Sequence, residues 1–389
     1  MKKILFAAFA ATLLAAGCQK TEIYQPANSG EKMTFSTEMK KITKAESNEG
    51  LDSLQKQGFN IWAYAAFSTE NISNVDPKTR IYDGMNAMAL TYDTGWNPAT
   101  PKAYYWPGTG KDLRFFAVSS KDNISEKVEI IHGISESTNH TITLANPSMT
   151  IKDYVVASTG NDAAIDDLMV ADFLDQNQNE NNREVMLDFH HALSKVEFLF
   201  KATNPGNASD LNVYVQKLSV LDLCNQGTLS VNTTGFPETE PTYKATVSLS
   251  WGETQAGEAD FTKTSVDSYT ADVEYVQEDG KNIFTENVAT EIDPTSTAST
   301  PVSFAKWLML PQSIEGKLVE IIYIINGRQF KAVFPLNAST DTTNNTNKVT
   351  EWGINKYIKY TITLAPNMIS FNAKVEADWE TETGIDHIN

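Results

Sequence analysis

From Ile369 to Trp379 every odd-numbered residue is apolar and every even-numbered one polar: Ile369, Phe371, Ala373, Val375, Ala377 and Trp379 are separated by Ser370, Asn372, Lys374, Glu376 and Asp378. A repeat of two belongs to a β-strand with one buried face, and a slip of one residue would turn that whole face to water. Similar short runs, rich in β-branched and aromatic residues and bounded by turn formers, recur at 59–65, 113–118, 195–200, 213–215, 245–249, 319–325, 330–334 and 360–364. Their spacing predicts an all-β chain built from sandwiches. Asn326-Gly327, between two such runs, predicts a tight hairpin. Helices are expected to be few, with helical turns at 165–173 and 189–193. Residues 175–183 and 341–348 read as polar loops, and 252–300 as long surface loops around one or two strands. The first polar loop falls near the middle of the chain, so a domain boundary is placed just after it, dividing 45–186 from 187–389.

The 389 residues are 41% hydrophobic and 10% aromatic, which suffices for a sizeable core and excludes wholesale disorder. Thirty-one Lys and Arg face 49 Asp and Glu, a net charge of −18. A field of that sign repels phosphate backbones, so no nucleic-acid partner is expected. A mean hydropathy of −0.33 leaves no room for a polytopic membrane protein, and the long apolar run is N-terminal. There Met1-Lys2-Lys3 is a basic n-region, residues 4–14 are apolar but too short to span a bilayer, and Leu14-Ala15-Ala16-Gly17 sets small residues before Cys18. Together these three parts form a bacterial lipoprotein signal. Residues 1–17 are expected to be removed and the Cys18 thiol to carry a diacylglyceryl group, whose buried CH₂ groups contribute about 0.8 kcal/mol each to anchoring. Gln19-Lys20-Thr21-Glu22 opens a polar tether that runs to about Glu31. Cys224 is then the remaining cysteine, in an apolar run where it reads as a small core residue, and no internal disulfide is open to the chain.

Patterns that carry catalysis are sparse. His190-His191 is the one histidine cluster, and neighbours on a strand point to opposite faces, so the two do not form one ligand set. Nucleophile-elbow, zinc-protease and phosphate-loop motifs do not occur. Gly108-Thr109-Gly110-Lys111 reads as a turn, because Asp112 stands where a hydroxyl is needed. Asp175-Gln176-Asn177-Gln178-Asn179 resembles the opening of a calcium loop, but Glu180 replaces its glycine and Met186 its closing carboxylate. No enzyme activity, cofactor or metal is expected. Tyr104-Tyr105-Trp106-Pro107, Trp96, Trp251 and Trp352 leave open a surface that stacks on sugars, although tryptophan in β-proteins more often packs in the core.

Several segments, taken in order, resemble the fimbrillin family of Bacteroidota, the type V pilins and their anchor and tip relatives. They are the lipoprotein signal, Met33-Thr34-Phe35-Ser36, Thr43-Lys44-Ala45, residues 59–67, Tyr105-Trp106-Pro107 with residues 113–117, Phe189-His190-His191-Ala192-Leu193-Ser194-Lys195-Val196, and residues 360–379. The resemblance implies two transthyretin-like β-sandwich domains, export as an outer-membrane lipoprotein to the cell surface, and assembly with other fimbrial subunits by strand exchange in support of adhesion. It also implies cleavage by a trypsin-like protease that removes residues 18–44 with their first strand. Lys44, before Ala45, stands where Arg is common, and Lys40 and Lys41 compete with it. A host or glycan ligand is a further partner within this reading. The alternative is a glycan-binding β-sandwich lipoprotein that keeps its lipid and needs an exposed aromatic platform.

Cys18→Ala is expected to leave the precursor unanchored in the periplasm. Normal display of the variant, assayed by protease shaving of intact cells, would refute the lipid anchor.

Overall fold

The Leu113–Ser119 strand is buried at all seven positions, so it has no solvent face and must lie inside a sheet covered on both sides. It does. In the computed structural model, which describes residues 31–39, 49–156, 166–179, 183–203, 213–233, 243–252, 259–264, 276–278, 281–283, 290–291, 301–337, 349–365 and 368–378, it pairs antiparallel with Phe59–Ala65, Met169–Ala171 and Phe173–Gln176. Cys18, Lys40, Lys41, Lys44 and Ala45, the 341–348 loop and most of 252–300 lie outside the described residues.

Seven strands of this nine-stranded sheet run in the order Thr34–Met39, Glu184–His191, Met169–Ala171, Leu113–Ser119, Phe59–Ala65, Met88–Tyr92, Trp96–Pro98, and Phe173–Gln176 with Tyr243–Ala245 branches from Leu113–Ser119. Successive side chains on its strands serve different cores. Phe59, Ile61, Ala63, Phe115 and Ala117 enter one core with Phe35, Trp96, Trp106 and Phe189. Trp62, Tyr64, Phe116 and Val118 enter the other, which also takes in Met149, Ile151, Leu229 and Val231. Those last four belong to a second sheet, ordered Ser248–Trp251, Gln226–Asn232, Ser148–Val155, Val128–Ile131. A further sandwich packs Val302–Met309, Ser194–Ala202, Lys356–Ala365 and Met368–Asp378 against Ala259–Thr264, Val213–Leu223, Leu318–Ile325 and Arg328–Pro335. The protein is thus an all-β sandwich structure. Residue 186 falls inside the Glu184–His191 strand, and Gln226–Asn232 and Tyr243–Ala245 pair with Ser148–Val155 and Phe173–Gln176 from the preceding half of the chain.

The Asn326-Gly327 hairpin forms as the dipeptide requires: Ile325 pairs with Arg328, and both turn residues have positive φ, 48° and 75°. The alternating C-terminal run is the Met368–Asp378 strand, antiparallel to Lys356–Ala365 and at the edge of its sheet. Ala373 is buried as expected, whereas Val375 is 43% exposed; the ladder shifts register between Lys356 and Ile358, next to Val375's partner.

Two expectations are corrected. The helical turns expected at 165–173 and 189–193 are strands instead, Met169–Ala171, Phe173–Gln176 and Glu184–His191. Short apolar runs carry no period that separates a buried strand from a helix. The one α-helix among the described residues is Glu49–Gln57. It buries Leu54, and Gly58 closes it at φ 74°, where a Cβ would meet Leu90 O at 2.4 Å.

The start of the 175–183 segment is likewise not solvated. Asp175 and Gln176 are buried in a strand, and the Asp175 carboxylate accepts two 2.7 Å hydrogen bonds from the fully buried Arg114 guanidinium. Arg114 Nη1 also donates to His132 O (2.6 Å) and Ala145 O (3.0 Å). A buried cation thereby ties the 132–145 segment to the central strand, and its charge is tolerable because every direction it faces holds an acceptor.

Asp175→Ala removes the counter-charge and leaves Arg114 enclosed. Denaturant unfolding is expected to show a loss of about 3–5 kcal/mol, and a loss under about 1 kcal/mol, the value of an exposed pair, would contradict this account.

Candidate functional site: the N-terminal strand and its seat

Residues 34–39 are short of hydrophobic area on their own, so their strand depends on what receives it. Thr34–Met39 lies parallel to Glu184–His191, in register from Thr34 against Glu184 to Met39 against Phe189. It is the end strand of the large sheet, with a backbone ladder on one side. Phe35, Thr37 and Met39 share a face. Phe35 and Met39 are buried, together with Met33 just before them. Burial of side chains this size stabilises by about 1.5–3 kcal/mol each. The enclosed Ser36 hydroxyl, which has no hydrogen-bond partner among the described residues, offsets part of that gain.

The opposite end of the same sheet curls round to meet this strand. Trp96, in Trp96–Pro98, donates its indole N–H to Thr37 Oγ1 at 2.9 Å. Its ring packs edge-on to Phe59 at 4.7 Å, and Phe59 stands 5.3 Å from Phe189. Side-chain contacts therefore bridge the two sheet ends where no backbone ladder does. An open cleft of ≈ 450 Å³ remains beside the junction, walled by Phe35, Pro98, Lys102 and Tyr104. Lys102 Nζ sits 4.6 Å from the Tyr104 ring centroid. Burial raises the Tyr104 phenol above its ordinary pKa.

The residues before the strand are clamped by the Tyr-Tyr-Trp segment. Met33 N–H donates to Tyr104 O (2.9 Å), Lys32 bridges to Tyr105, and Trp106 N–H donates to Glu31 O (2.9 Å). Glu31 pairs with Arg183, whose carbonyl accepts the Trp106 indole N–H at 3.0 Å. At the other end the Glu49–Gln57 helix covers the strand's last residue: a Cβ on Gly50 would lie 3.1 Å from Met39 Cε and 2.8 Å from His191 Nε2. The helix is fixed by Gln57, which donates to Asp167 O (2.9 Å) and Ser119 Oγ (3.1 Å) and accepts from Asp167 N–H (2.9 Å).

His190 and His191 are separated by the strand's pleat. His190 Nε2 lies 2.8 Å from Asp172 Oδ1, and His191 Nδ1 lies 3.0 Å from Asp167 Oδ1. Each histidine thus holds a different element: Asp172 also accepts from Val247 N–H at 3.0 Å, while Asp167 receives Gln57. The aromatic residues singled out for sugar stacking are not a platform. Trp96, Tyr104, Trp106 and Trp352 are buried. The Trp352 indole donates to Tyr360 OH (3.0 Å) and that of Trp251 to Ala192 O (2.8 Å). Cys224 is half-buried just past the end of Val213–Leu223, and its backbone N–H donates to Gln312 Oε1 at 2.9 Å. The chemistry of this region is thus that of a strand held in a groove. The Trp96–Thr37 link joins residues 59 apart and has no signal in the sequence.

A model of the fimbrillin-like family matches residues 43–379. Among solved structures, a fimbrial protein from Bacteroides vulgatus ATCC 8482 is 14% identical, with 90% of this chain and 99% of that one covered at a TM-score of 0.52. A proposed cell adhesion protein from Bacteroides uniformis ATCC 8492 is 14% identical over 90% and 98% of the two chains, with a TM-score of 0.43. Another from Bacteroides ovatus ATCC 8483 is 13% identical over 90% and 98%, at 0.45. At such identities the first of these likenesses speaks for the fold alone. No curated protein matches the sequence.

Trp96→Phe keeps the ring but removes the donor to Thr37, a loss of about 1 kcal/mol. Amide hydrogen exchange is expected to quicken at residues 34–39 while the Leu113–Ser119 strand stays protected. Unchanged exchange at 34–39 would show that the indole does not hold the strand.

Proposed function

Because the chain belongs to the fimbrillin-like family, we propose that it is a non-enzymatic subunit of cell-surface fimbriae, exported as a lipoprotein through Cys18 and assembled by strand exchange. In this reading a trypsin-like protease cuts after Lys44, residues 18–44 depart, and a strand from another subunit takes the place of Thr34–Met39. The observation that carries it is the seat just described. A strand at the end of its sheet is held by three buried apolar side chains and a side-chain link, and it immediately precedes Lys40, Lys41 and Lys44.

Removing that strand would bare the Glu184–His191 ladder and the hollow that Met33, Phe35 and Met39 fill. Unpaired strand edges and exposed apolar grooves take up extended peptides: main-chain hydrogen bonds supply affinity, and alternate side chains supply register. The Met368–Asp378 strand is committed to its own sheet through Lys356–Ala365, with Ala373 buried. An outgoing strand is therefore better sought beyond Asp378. Two sandwich domains remain part of the proposal, with Gln226–Asn232 and Tyr243–Ala245 of the second half of the chain completing sheets of the first. The exposed aromatic platform that the glycan-binding alternative calls for is not formed by Trp96, Tyr104, Trp106 and Trp352, which are inside.

Changing Lys40, Lys41 and Lys44 together to Ala is expected to block maturation, leaving surface material that starts at acylated Cys18 rather than at Ala45 and forms no fibres. Edman sequencing and electron microscopy of sheared surface fractions read both outcomes. An unchanged mature mass with normal fibres would overturn the processing route.

A further inference from the structure

A second cleft lies on the opposite face of the large sheet and shares no lining residue with the one beside the N-terminal strand. Trp62 and Tyr64 are two apart on Phe59–Ala65 and so project together. They form its inner wall. Val128 and Ile130, from the end strand of the second sheet, face them across an open space of ≈ 360 Å³. Asn86, Ser125 and Glu126 stand round the mouth. That volume lies at the small end of the roughly 300–1,000 Å³ of small-molecule sites.

The donors and acceptors here are unspent. The Trp62 indole N–H, the Tyr64 hydroxyl, the Asn86 amide, the Ser125 hydroxyl and the Glu126 carboxylate make no hydrogen bond within the described residues. Asn86 and Glu126 are exposed and Ser125 is half-buried, whereas Trp62 and Tyr64 at the base keep only 4% and 7% of their surface open. Burial pushes the Tyr64 phenol up to about 12, which keeps it a neutral hydroxyl that both donates and accepts. The rim is held in place: Ser125 N–H donates to Asn123 Oδ1 at 3.1 Å, and the neighbouring Met85 carbonyl accepts from Ala63 N–H at 3.0 Å. Ala87 sits at φ 53°, a conformation unfavourable to any residue with a Cβ.

We infer that this cleft binds a neutral saccharide unit through Trp62, Tyr64, Asn86, Ser125 and Glu126. A sugar ring offers hydroxyls that both donate and accept around an apolar C–H face. The cleft matches that with neutral donors, one carboxylate acceptor and the apolar side chains of Val128 and Ile130. Among the described lining residues Glu126 carries the only charge, which disfavours anionic ligands. The site is separate from the strand seat and does not depend on assembly.

The test is saturation-transfer NMR on the full chain with the methyl glycosides of glucose, galactose, mannose, fucose and N-acetylglucosamine, and with glucuronate as the anionic comparison. At least one neutral glycoside is expected to bind, and glucuronate to bind more weakly. Tyr64→Phe and Glu126→Gln should each weaken binding about tenfold, the effect of one lost hydrogen bond. Glu126 is exposed at the rim, so its variant should keep the parent melting temperature and remain informative if Tyr64→Phe destabilises the sheet. The proposal is overturned if no neutral glycoside binds at millimolar concentration, if glucuronate binds best, or if Glu126→Gln binds as the parent does.

Discussion

Burial of the large sheet on both faces is the constraint on which the rest of this structure depends. A strand such as Leu113–Ser119, with no exposed position, needs apolar partners above and below. The chain supplies them from distant segments: Ser148–Val155 and Gln226–Asn232 on one side, the N-terminal strand and the Glu49–Gln57 helix on the other. The same constraint explains the buried Arg114–Asp175 pair. A cation on a doubly covered strand is tolerable only with a carboxylate and carbonyls arranged round it. It also explains why Tyr104 to Trp106 pack inward, where they hold the residues that lead into the N-terminal strand.

A doubly covered sheet whose two ends meet through side chains contains a weak seam. Backbone ladders are cooperative and continuous, whereas the Trp96–Thr37 contact is a single hydrogen bond flanked by ring packing. Removal of the N-terminal strand would break that seam and the strand's own ladder to Glu184–His191, but would leave the pairing of Glu184–His191 with Met169–Ala171. The histidines reinforce the remaining side. His191 fixes Asp167, which fixes Gln57 and the helix, and His190 fixes Asp172, which accepts from Val247. Elements that flank the strand are therefore anchored independently of it, as a groove that changes occupant would require.

Much of this was legible in the residues. Alternation placed the C-terminal strand, and the Asn-Gly pair placed its hairpin. The failures have separate causes. Met169–Ala171 and Phe173–Gln176 are buried at every position and have lost the period that identifies a strand, and Phe189 to Leu193 is too short a window to show the alternation that runs through Glu184–His191. Asp175 and Gln176 looked solvated because polarity was read without the Arg114 that pairs with the first of them. The helix at Glu49–Gln57 was missed because its buried positions are few and include Gly50, which contributes no hydrophobic signal.

By itself the sequence determined the β class and the short strand repeat, because each rests on local spacing: two residues per strand repeat, two per hairpin turn. What only the tertiary structure decided was where the N-terminal strand sits, what it lies parallel to, and which aromatics are inside. Parallel pairing between residues near 35 and near 185 leaves no local trace, since neither strand's pattern specifies its partner. Whether a tryptophan faces water or a core depends on the second layer laid over its sheet, and that layer comes from segments far along the chain.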